Sequence, residues 1–271
     1  MNSDEIGQYA SVALKAMEQA RGVFLKGYGV EVSWSAKSER DPVSEVDLEI
    51  ESRTRDFLAA RSDTDFLGEE SGGNIPSSGL AWVLDPVDGT VNYLQGSPLC
   101  GISLALLQDG QPVLGVIDLP VLGELYIGGE GLPATLNGTP IHARSGDDLA
   151  ECLVACGDYS VGEGSVARNA VKSRLVAELA DRAYRVRMLG SAAIDLAWLS
   201  AGRHQASITL SNNAWDMAAG VAIAKASGAF VVGSQGEVYT SESRATIASA
   251  AVSVVQNLVR AAATAGFPGS T

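Results

Sequence analysis

The sequence of 271 residues predicts a mixed fold, with helices on an antiparallel sheet in the first half and alternating strands and helices in the second. Two turn dipeptides, Asp109-Gly110 and Asn137-Gly138, follow apolar runs and indicate β-hairpins. Beyond Cys152, short strand patterns alternate with helical ones. We therefore predict an α+β half over residues 1–150 and an α/β half over residues 151–271, with the glycine-rich residues 157–164 as the best boundary signal.

The first half begins with apolar residues at helical spacing from Ile6 to Phe24, which predict an amphipathic helix to about Lys26. Residues 30–40 alternate poorly and indicate an edge strand and a loop. Ser44, with Asp47 three residues later, resembles a capping box and predicts a second helix to about residue 60. Strands are predicted at residues 66–68, 80–84, 101–107, 113–117, 124–128 and 132–136.

The elements of the second half are predicted from the helical and the strand periodicity of apolar residues, as in the first half. Strand patterns cover residues 152–156, 185–188, 205–210, 229–232 and 246–249. Helical patterns cover residues 166–179, 192–200, 215–227 and 252–263. Their alternation is typical of strands that are connected through helices.

The composition argues against several classes of protein. A formal net charge of −13 disfavours nucleic acid or an anionic membrane as a partner. No apolar segment reaches the roughly 18–20 residues of a membrane span. The first residues lack the pattern of a secretory signal, so we expect a cytoplasmic location. Cys100, Cys152 and Cys156 form no CxxC pair and accompany only two histidines, which predicts buried free thiols rather than a zinc site.

A carboxylate-rich stretch follows a predicted buried strand that ends at Asp85-Pro86, because proline has no N–H for a sheet ladder. Asp85, the Val87 carbonyl and Asp88 would meet there, and Asp88 or Thr90 could cap a short helix that follows. Oxygen ligands beside a helix N-terminus suit a divalent cation that holds a phosphate. An Asp-Pro turn followed by an Asp-Gly turn explains the same residues without any ligand.

Two distant stretches also place carboxylates at the ends of predicted elements. Glu69 follows the short run Phe66-Leu67-Gly68. Asp216 lies in the first turn of a predicted helix, where the helix dipole favours an anion. Placing carboxylates beside large apolar residues costs free energy unless a cation binds them. The pattern therefore favours a metal site.

Four segments of the sequence resemble the inositol monophosphatase family, within the fructose bisphosphatase-like superfamily. They are, in chain order, Asp41 to Asp47, Gly68-Glu69-Glu70, Asp85 to Tyr93 and Trp215 to Gly220. Motifs in the expected order cover roughly residues 37–249. The resemblance implies a layered α-β-α-β-α sandwich, with an active site at the junction of the two halves, and a homodimer.

The resemblance also implies a Mg²⁺ cofactor, with two or three ions in each active site. The family pattern places Glu69, Asp85 and the Val87 carbonyl on one ion, and Asp85, Asp88 and Asp216 on a second. A more weakly held third ion would be bound mostly by water and Glu69. Paired ions can clamp the attacking and leaving oxygens of a phosphate ester. Inhibition by lithium is a further implication.

The same resemblance assigns residues to the nucleophilic water and to the phosphate. Glu69, Thr90 and Asp47 are the implied catalytic residues, with Thr90 and Asp47 removing a proton from the water. Without the resemblance, Asp47 is better interpreted as an ordinary acid in the first turn of a helix. The N–H groups of Gly89 and Thr90 would hold phosphate oxygens.

Two charged residues near these segments remain ambiguous. Glu70 is either a supporting residue of the site or an exposed acid after Glu69. Lys37 lies one residue closer to Asp41 than the corresponding lysine of the family, which favours a solvated surface lysine.

The predicted substrate contacts come from the second half and from Asp88. Gly190-Ser191-Ala192 resembles the segment whose backbone contacts the bound alcohol. Thr209 stands where the family has an acid that binds ring hydroxyls, and its lack of charge puts strict inositol specificity in doubt. Asp195 and the pair Asn212-Asn213 are alternative contacts, although a helix-face acid and a loop are the safer interpretations.

The implied function is a Mg²⁺-dependent phosphatase that hydrolyses a small phosphorylated alcohol, myo-inositol monophosphate first, by direct attack of water. Histidinol phosphate, and then a sugar or nucleotide phosphate, is the alternative substrate. A non-catalytic regulatory protein on the same scaffold is a third hypothesis, which the full set of predicted metal carboxylates disfavours.

Overall fold

A computed structural model describes residues 1–38, 41–144 and 146–267. Its helices are α1 (Ser3–Gly27), α2 (Glu45–Ala59), α3 (Thr90–Leu94), α4 (Ser165–Arg182), α5 (Ala192–Ser200), α6 (Ala214–Ala226) and α7 (Val252–Thr264). A short 3₁₀ helix covers Leu149–Glu151. Its strands are β1 (Trp34–Ser38), β2 (Asp41–Ser44), β3 (Asp65–Gly68), β4 (Gly72–Gly73), β5 (Leu80–Asp88), β6 (Gly101–Gln108), β7 (Gln111–Leu119), β8 (Glu124–Gly129), β9 (Leu132–Leu136), β10 (Thr139–Pro140), β11 (Leu153–Cys156), β12 (Arg185–Arg187), β13 (Ala206–Thr209), β14 (Phe230–Val232) and β15 (Thr246–Ser249).

An eight-stranded sheet, in the order β10-β9-β8-β7-β6-β5-β3-β4, takes all its strands from the first half. The prediction of an antiparallel sheet holds for its hairpins but is wrong for one pair, because β3 runs parallel to β5 with Gly68 beside Leu84. The carboxyl ends of two parallel strands lie at the same edge of a sheet. Glu69, which follows β3, therefore lies next to the end of β5.

Strand β5 continues through Asp85-Pro86 to Asp88, so the prediction that it ends at Asp85-Pro86 is wrong. Its register with β6 shifts between Asp85, which faces Ser103, and Asp88, which faces Gly101. Pro86 lies inside this irregularity, where a missing N–H interrupts no regular ladder. The irregularity sets the positions of both aspartates.

A five-stranded sheet, in the order β12-β11-β13-β15-β14, takes all its strands from the second half. Strand β11 is parallel to β12 and to β13, whereas the remaining pairs are antiparallel. The division at 150/151 remains a prediction.

The helices cover both faces of each sheet, in the order expected for an α-β-α-β-α sandwich. Helices α1 and α2 pack on one face of the larger sheet, around buried Phe24, Ile50 and Trp82. Helices α5 and α6 fill the space between the two sheets, through Ile194 and Ile223. Helices α4 and α7 cover the outer face of the smaller sheet. The layered fold is therefore confirmed.

Other local predictions can be compared with the described residues. The Ser44 capping box is confirmed, since Asp47 N donates to Ser44 Oγ and Ser44 N donates to Asp47 Oδ2 at 2.9 Å. The three cysteines are buried and none of them is in a disulfide, as predicted. The end of the loop predicted over residues 30–40 lies outside the described residues. Across the described ranges, no helix combines the length and apolarity that a membrane crossing needs.

Candidate active site

The end of β3 is held by a buried glutamate of α2 that the sequence analysis did not identify. Glu51 accepts hydrogen bonds from the N–H groups of Glu70 and Ser71, both at 2.8 Å. A Cβ on Gly68 would lie 2.3 Å from the Glu51 carboxyl carbon, so this approach requires glycine. The available signal was the spacing of Glu51 four residues after Asp47, which puts both acids on one helix face.

We expect Glu51→Gln to weaken the loop that presents Glu69, because the amide loses two charge-assisted acceptor contacts. Hydrogen bonds to charged groups contribute about 1.5–3 kcal/mol. The variant should unfold at a lower temperature and bind Mg²⁺ at least several-fold more weakly, as measured by calorimetry. Glu49→Gln changes an exposed acid on the same helix and is the matched control. Unchanged metal affinity in Glu51→Gln would show that the loop does not depend on this anchor.

Hydrogen bonds within the last residues of β5, and from Thr90, hold the Val87 peptide groups in place. Val87 N donates to Asp85 Oδ1 at 3.0 Å, and Thr90 Oγ1 donates to the Val87 carbonyl at 3.0 Å. A carbonyl oxygen has a second lone pair, so the Val87 oxygen can still bind a metal. The predicted pair of Thr90 and Asp47 is not directly bonded, because the Thr90 hydroxyl proton points to Val87.

Helix α3 begins at Gly89, which has a φ of +82° and no capping side chain. A Cβ there would lie 3.0 Å from the Leu99 carbonyl, so glycine is required both for its conformation and for space. The prediction that Asp88 or Thr90 caps this helix is therefore wrong. Asp88 instead turns towards another helix, α5.

Asp88 lies at the N-terminus of α5 and accepts hydrogen bonds from it. Ala193 N donates to Asp88 Oδ2 at 2.9 Å, Ala192 N donates to Oδ1 at 3.3 Å, and the Ser191 hydroxyl donates to Oδ2. The N-terminus of a helix stabilises such an anion. Ser191 and Ala192, predicted as substrate contacts, thus also position a predicted metal ligand.

Three acids from two distant segments converge in this place. Ligand atoms of Asp85, Asp88 and Asp216 all lie within 4.8 Å of one another. Asp216 is in the first turn of α6, where Asn213 Nδ2 donates to its Oδ2 at 3.1 Å. The start of α6 is attached to the larger sheet by Ser103, whose hydroxyl donates to the Trp215 carbonyl at 3.3 Å.

Burial and mutual repulsion raise the pKa values of these three carboxyls. Burial, followed by the charges of Glu69, Asp88 and Asp216, raises the pKa of Asp85 well above its ordinary value. Burial raises the pKa of Asp88 to about 6, although hydrogen bonds from α5 oppose the shift. Burial, with the charges of Asp88 and Glu69, raises the pKa of Asp216 to about 8. A cluster of this kind needs a cation to remain ionised at neutral pH.

Lys37 lies at the site, so its interpretation as a solvated surface lysine is wrong. Its Nζ lies 2.6 Å from Glu69 Oε1 and 2.9 Å from Glu70 Oε1. The β1–β2 hairpin brings it across 32 residues of sequence, a placement that local spacing cannot reveal. Burial lowers the Lys37 pKa, but the hydrogen bonds with the two glutamates reverse that effect and raise it.

Glu70 and Asp47 lie beside Glu69. The Glu70 side chain is 3% exposed, so it is not an exposed acid, and burial raises its pKa to about 7. Asp47 Oδ2 is bonded to Ser44, whereas its Oδ1 is buried without a partner. Burial raises the pKa of Asp47 to about 6. Asp47 thus combines its capping role with a raised pKa and a carboxylate oxygen that has no hydrogen-bond partner among the described residues.

A cavity of about 450 Å³ opens on the Asp88 and Asp216 side of the cluster. Its wall includes Thr209 and all of the predicted backbone segment Gly190-Ser191-Ala192. Asn213 and Asp195 also line it. Asn212 is structural, because its Oδ1 accepts from Tyr239 OH at 2.7 Å and its Nδ2 donates to the Ser241 carbonyl at 3.0 Å.

Comparisons with known proteins agree with this geometry. The sequence model of the inositol monophosphatase family matches residues 4–265. A probable inositol 1-monophosphatase, ImpA, of Mycobacterium tuberculosis is 36% identical over 86% of each chain. The Nus factor SuhB of Xylella fastidiosa is 36% identical over 72% of this chain and 70% of its own. The crystal structure of the extragenic suppressor protein suhB from Bartonella henselae has a TM-score of 0.85 and 29% identity, and covers 94% of this chain and 98% of its own.

Proposed function

The chain belongs to the inositol monophosphatase family and is a phosphoric monoester hydrolase, and we propose that its substrate is a small monophosphate ester, myo-inositol monophosphate first, with Mg²⁺ as the cofactor. The observation that carries the proposal is the convergence of Asp85, Asp88 and Asp216 within 4.8 Å. Buried acids at such separations repel one another unless a cation lies between them.

The donor set fits a hard divalent cation. Glu69, Asp85 and the Val87 carbonyl would hold one ion, and Asp85, Asp88 and Asp216 a second. Carboxylate and carbonyl oxygens are the protein ligands that Mg²⁺ prefers. When bound, Mg²⁺ neutralises phosphate charge and lowers the pKa of a bound water.

The residues of the chain then orient the substrate and move the proton. The N–H groups of Gly89 and Thr90 would donate hydrogen bonds to the phosphate oxygens at the start of α3. Asp47 Oδ1 is buried and has no hydrogen-bond partner among the described residues, and it would accept a proton from the attacking water. Thr90 is held through the Val87 carbonyl, so its hydroxyl can rotate towards the water only by leaving that bond. Lys37, with Glu69 and Glu70, balances charge at this edge of the site.

We expect Asp47→Asn and Thr90→Val to lower kcat by about 10²–10⁴-fold, because general-base assistance is typically of that size. Mg²⁺ affinity should change little, since neither side chain is assigned as a metal ligand. Single-turnover kinetics and calorimetry measure the two effects separately. Glu49→Gln, which changes an exposed acid on the same helix and leaves the Ser44–Asp47 contacts intact, is the matched control. Near-parental kcat in both variants would leave Asp47 with its capping role alone.

Thr209 favours a broader substrate range than a strict inositol phosphatase. It lines the cavity in a place where the family has an acid, and a neutral hydrogen bond contributes only about 0.5–1.5 kcal/mol. Histidinol phosphate and sugar or nucleotide phosphates are therefore included among the proposed substrates. We further propose that the protein is cytoplasmic, that it forms a homodimer and that lithium inhibits it.

The test is the release of phosphate from a panel of monophosphates with Mg²⁺, and after its removal by EDTA. The panel contains myo-inositol, histidinol, glycerol, fructose and nucleoside monophosphates. We expect Mg²⁺-dependent release, fastest with myo-inositol monophosphate. If another ester were hydrolysed faster, the assigned substrate would change, but the assigned phosphatase activity would stand.

A regulatory role without turnover is the second candidate, since one relative is named a Nus factor. The same substrate panel decides between the phosphatase activity and the regulatory role. If no ester gave Mg²⁺-dependent phosphate, the phosphatase proposal would be abandoned for the regulatory one.

A further inference from the structure

Asp195 is a buried acid of the cavity that the proposed mechanism does not use. It is 1% exposed and lies in the first turns of α5, and its Oδ1 has no hydrogen-bond partner among the described residues. Burying an unpaired carboxyl is costly, so its retention in the wall of a cavity points to a ligand.

Asp195 lines the same cavity as Asp88 and Asp216, two of the predicted metal ligands. Asp195 N donates to the Ser191 carbonyl at 3.1 Å, which places the two residues one turn apart on the same face of α5. Ser191 holds Asp88, and both line the cavity with Asp195. A substrate whose phosphate lies at Asp88 would extend its alcohol along this face.

Neighbouring groups do not satisfy the free oxygen. The Lys172 charge acts on Asp195, but its Nζ donates to Cys156 Sγ at 3.0 Å and to the Gly157 carbonyl. Asp158 also lines the cavity, but it is exposed and can be solvated by water. Thr209, on the strand β13, supplies only a neutral hydroxyl.

We propose that Asp195 is a specificity-determining residue, whose carboxyl group forms a hydrogen bond with a hydroxyl group of a polyol phosphate. This inference rests on the proposed phosphatase function and adds the chemical class that the site selects. An ester whose alcohol carries no further hydroxyl leaves Asp195 unpaired, so the site discriminates against it. In this chain the acid that recognises the polyol therefore lies on α5 and not on β13.

The experiment compares Asp195→Asn and Asp195→Ala with the parent, on myo-inositol 1-phosphate and on p-nitrophenyl phosphate, which has no hydroxyl on its leaving group. We expect kcat/KM for the inositol ester to fall roughly 2- to 10-fold, as for the loss of a neutral hydrogen bond, because burial favours the uncharged form of Asp195. The value for the aryl ester should stay within about twofold. Thr54→Val removes another buried, unpartnered hydroxyl, on α2, and should affect both esters equally or not at all.

Binding of myo-inositol 1-phosphate, measured by calorimetry with Ca²⁺ in place of Mg²⁺, separates the inference about Asp195 from the proposed phosphatase activity. Weaker binding in both Asp195 variants supports the inference even if the parent releases no phosphate, a result that would reject only the proposed activity. Equal losses for both esters, or no loss for either, would overturn the inference while leaving the activity established. A parent that neither binds nor hydrolyses the inositol ester would overturn both.

Discussion

Asp85→Asn is expected to lose at least about 10³-fold in Mg²⁺-dependent kcat/KM, because a positioned metal contributes several kcal/mol to transition-state stabilisation. Asp85 is 2% exposed and lies in the register shift of β5, close to Asp88, Asp216 and Glu69. It is assigned to both ions, so its amide would weaken both sites together. Steady-state kinetics over a wide range of Mg²⁺ concentrations measure the loss, and excess Mg²⁺ should not restore the rate.

Asp65→Asn is the matched control for this variant. Asp65 lies at the other end of the neighbouring strand β3 and is exposed, so its amide should leave turnover unchanged. Circular dichroism verifies that Asp85→Asn is folded. A folded Asp85→Asn protein with parental Mg²⁺-dependent turnover would show that the metal cluster is assigned wrongly.

Asp216→Asn is expected to stabilise the metal-free protein and to abolish its stabilisation by Mg²⁺. In the metal-free parent, folding at neutral pH must either protonate Asp216 or bury its charge beside Asp88 and Glu69, and the amide removes that cost. A ligand at 100 times its Kd stabilises the folded state by about 2.7 kcal/mol. That corresponds to a rise in Tm of roughly 5 °C for a chain of this size. Differential scanning fluorimetry with and without Mg²⁺ therefore measures both effects.

The raised pKa values of these acids predict how the stability of the metal-free protein depends on pH. The pKa values of Asp88 and Asp216 are raised to about 6 and about 8, above the ordinary value of about 3.9 for an unfolded aspartate. Between roughly pH 4 and pH 8 the folded state therefore binds more protons than the unfolded state, and stability falls as pH rises. Saturating Mg²⁺ should reduce this slope, leaving the part that comes from acids outside the cluster such as Asp118, and Asp216→Asn should flatten its upper part. A parent with the same slope with and without Mg²⁺ would contradict the assignment.

The types and local positions of the acids could be predicted because they depend on nearby sequence. Glu69 follows an apolar run, Asp216 follows a helix start, and Ser44 with Asp47 has the spacing of a capping box. Each pattern is confirmed, since short-range hydrogen bonds and helix ends are set by neighbouring residues. The resemblance of four segments to one family then identified a fold that the matched relatives and structures confirm.

Other features of the site were not predicted, because contacts between distant segments create them. Local spacing did not show that Glu51 anchors the Glu70 N–H, since a helix acid is usually solvated. It did not show Lys37 beside Glu69, because that contact requires the β1–β2 hairpin to fold over the site. Asp88 was predicted to cap α3, but the N-terminus of α5 takes it instead.

The sequence by itself determined the helix and strand periodicities, the Ser44 cap of α2 and the acids that lie at the ends of strands and helices, because these depend on interactions within a few residues. The tertiary structure decided which of those ends meet. Parallel pairing of β3 with β5 brings Glu69 to Asp85, and the packing of α5 and α6 between the sheets brings Asp88 to Asp216. The acids converge because both sheets bury their apolar faces against the same helices. The whole chain supplies the free energy of that burial, and no local segment encodes it.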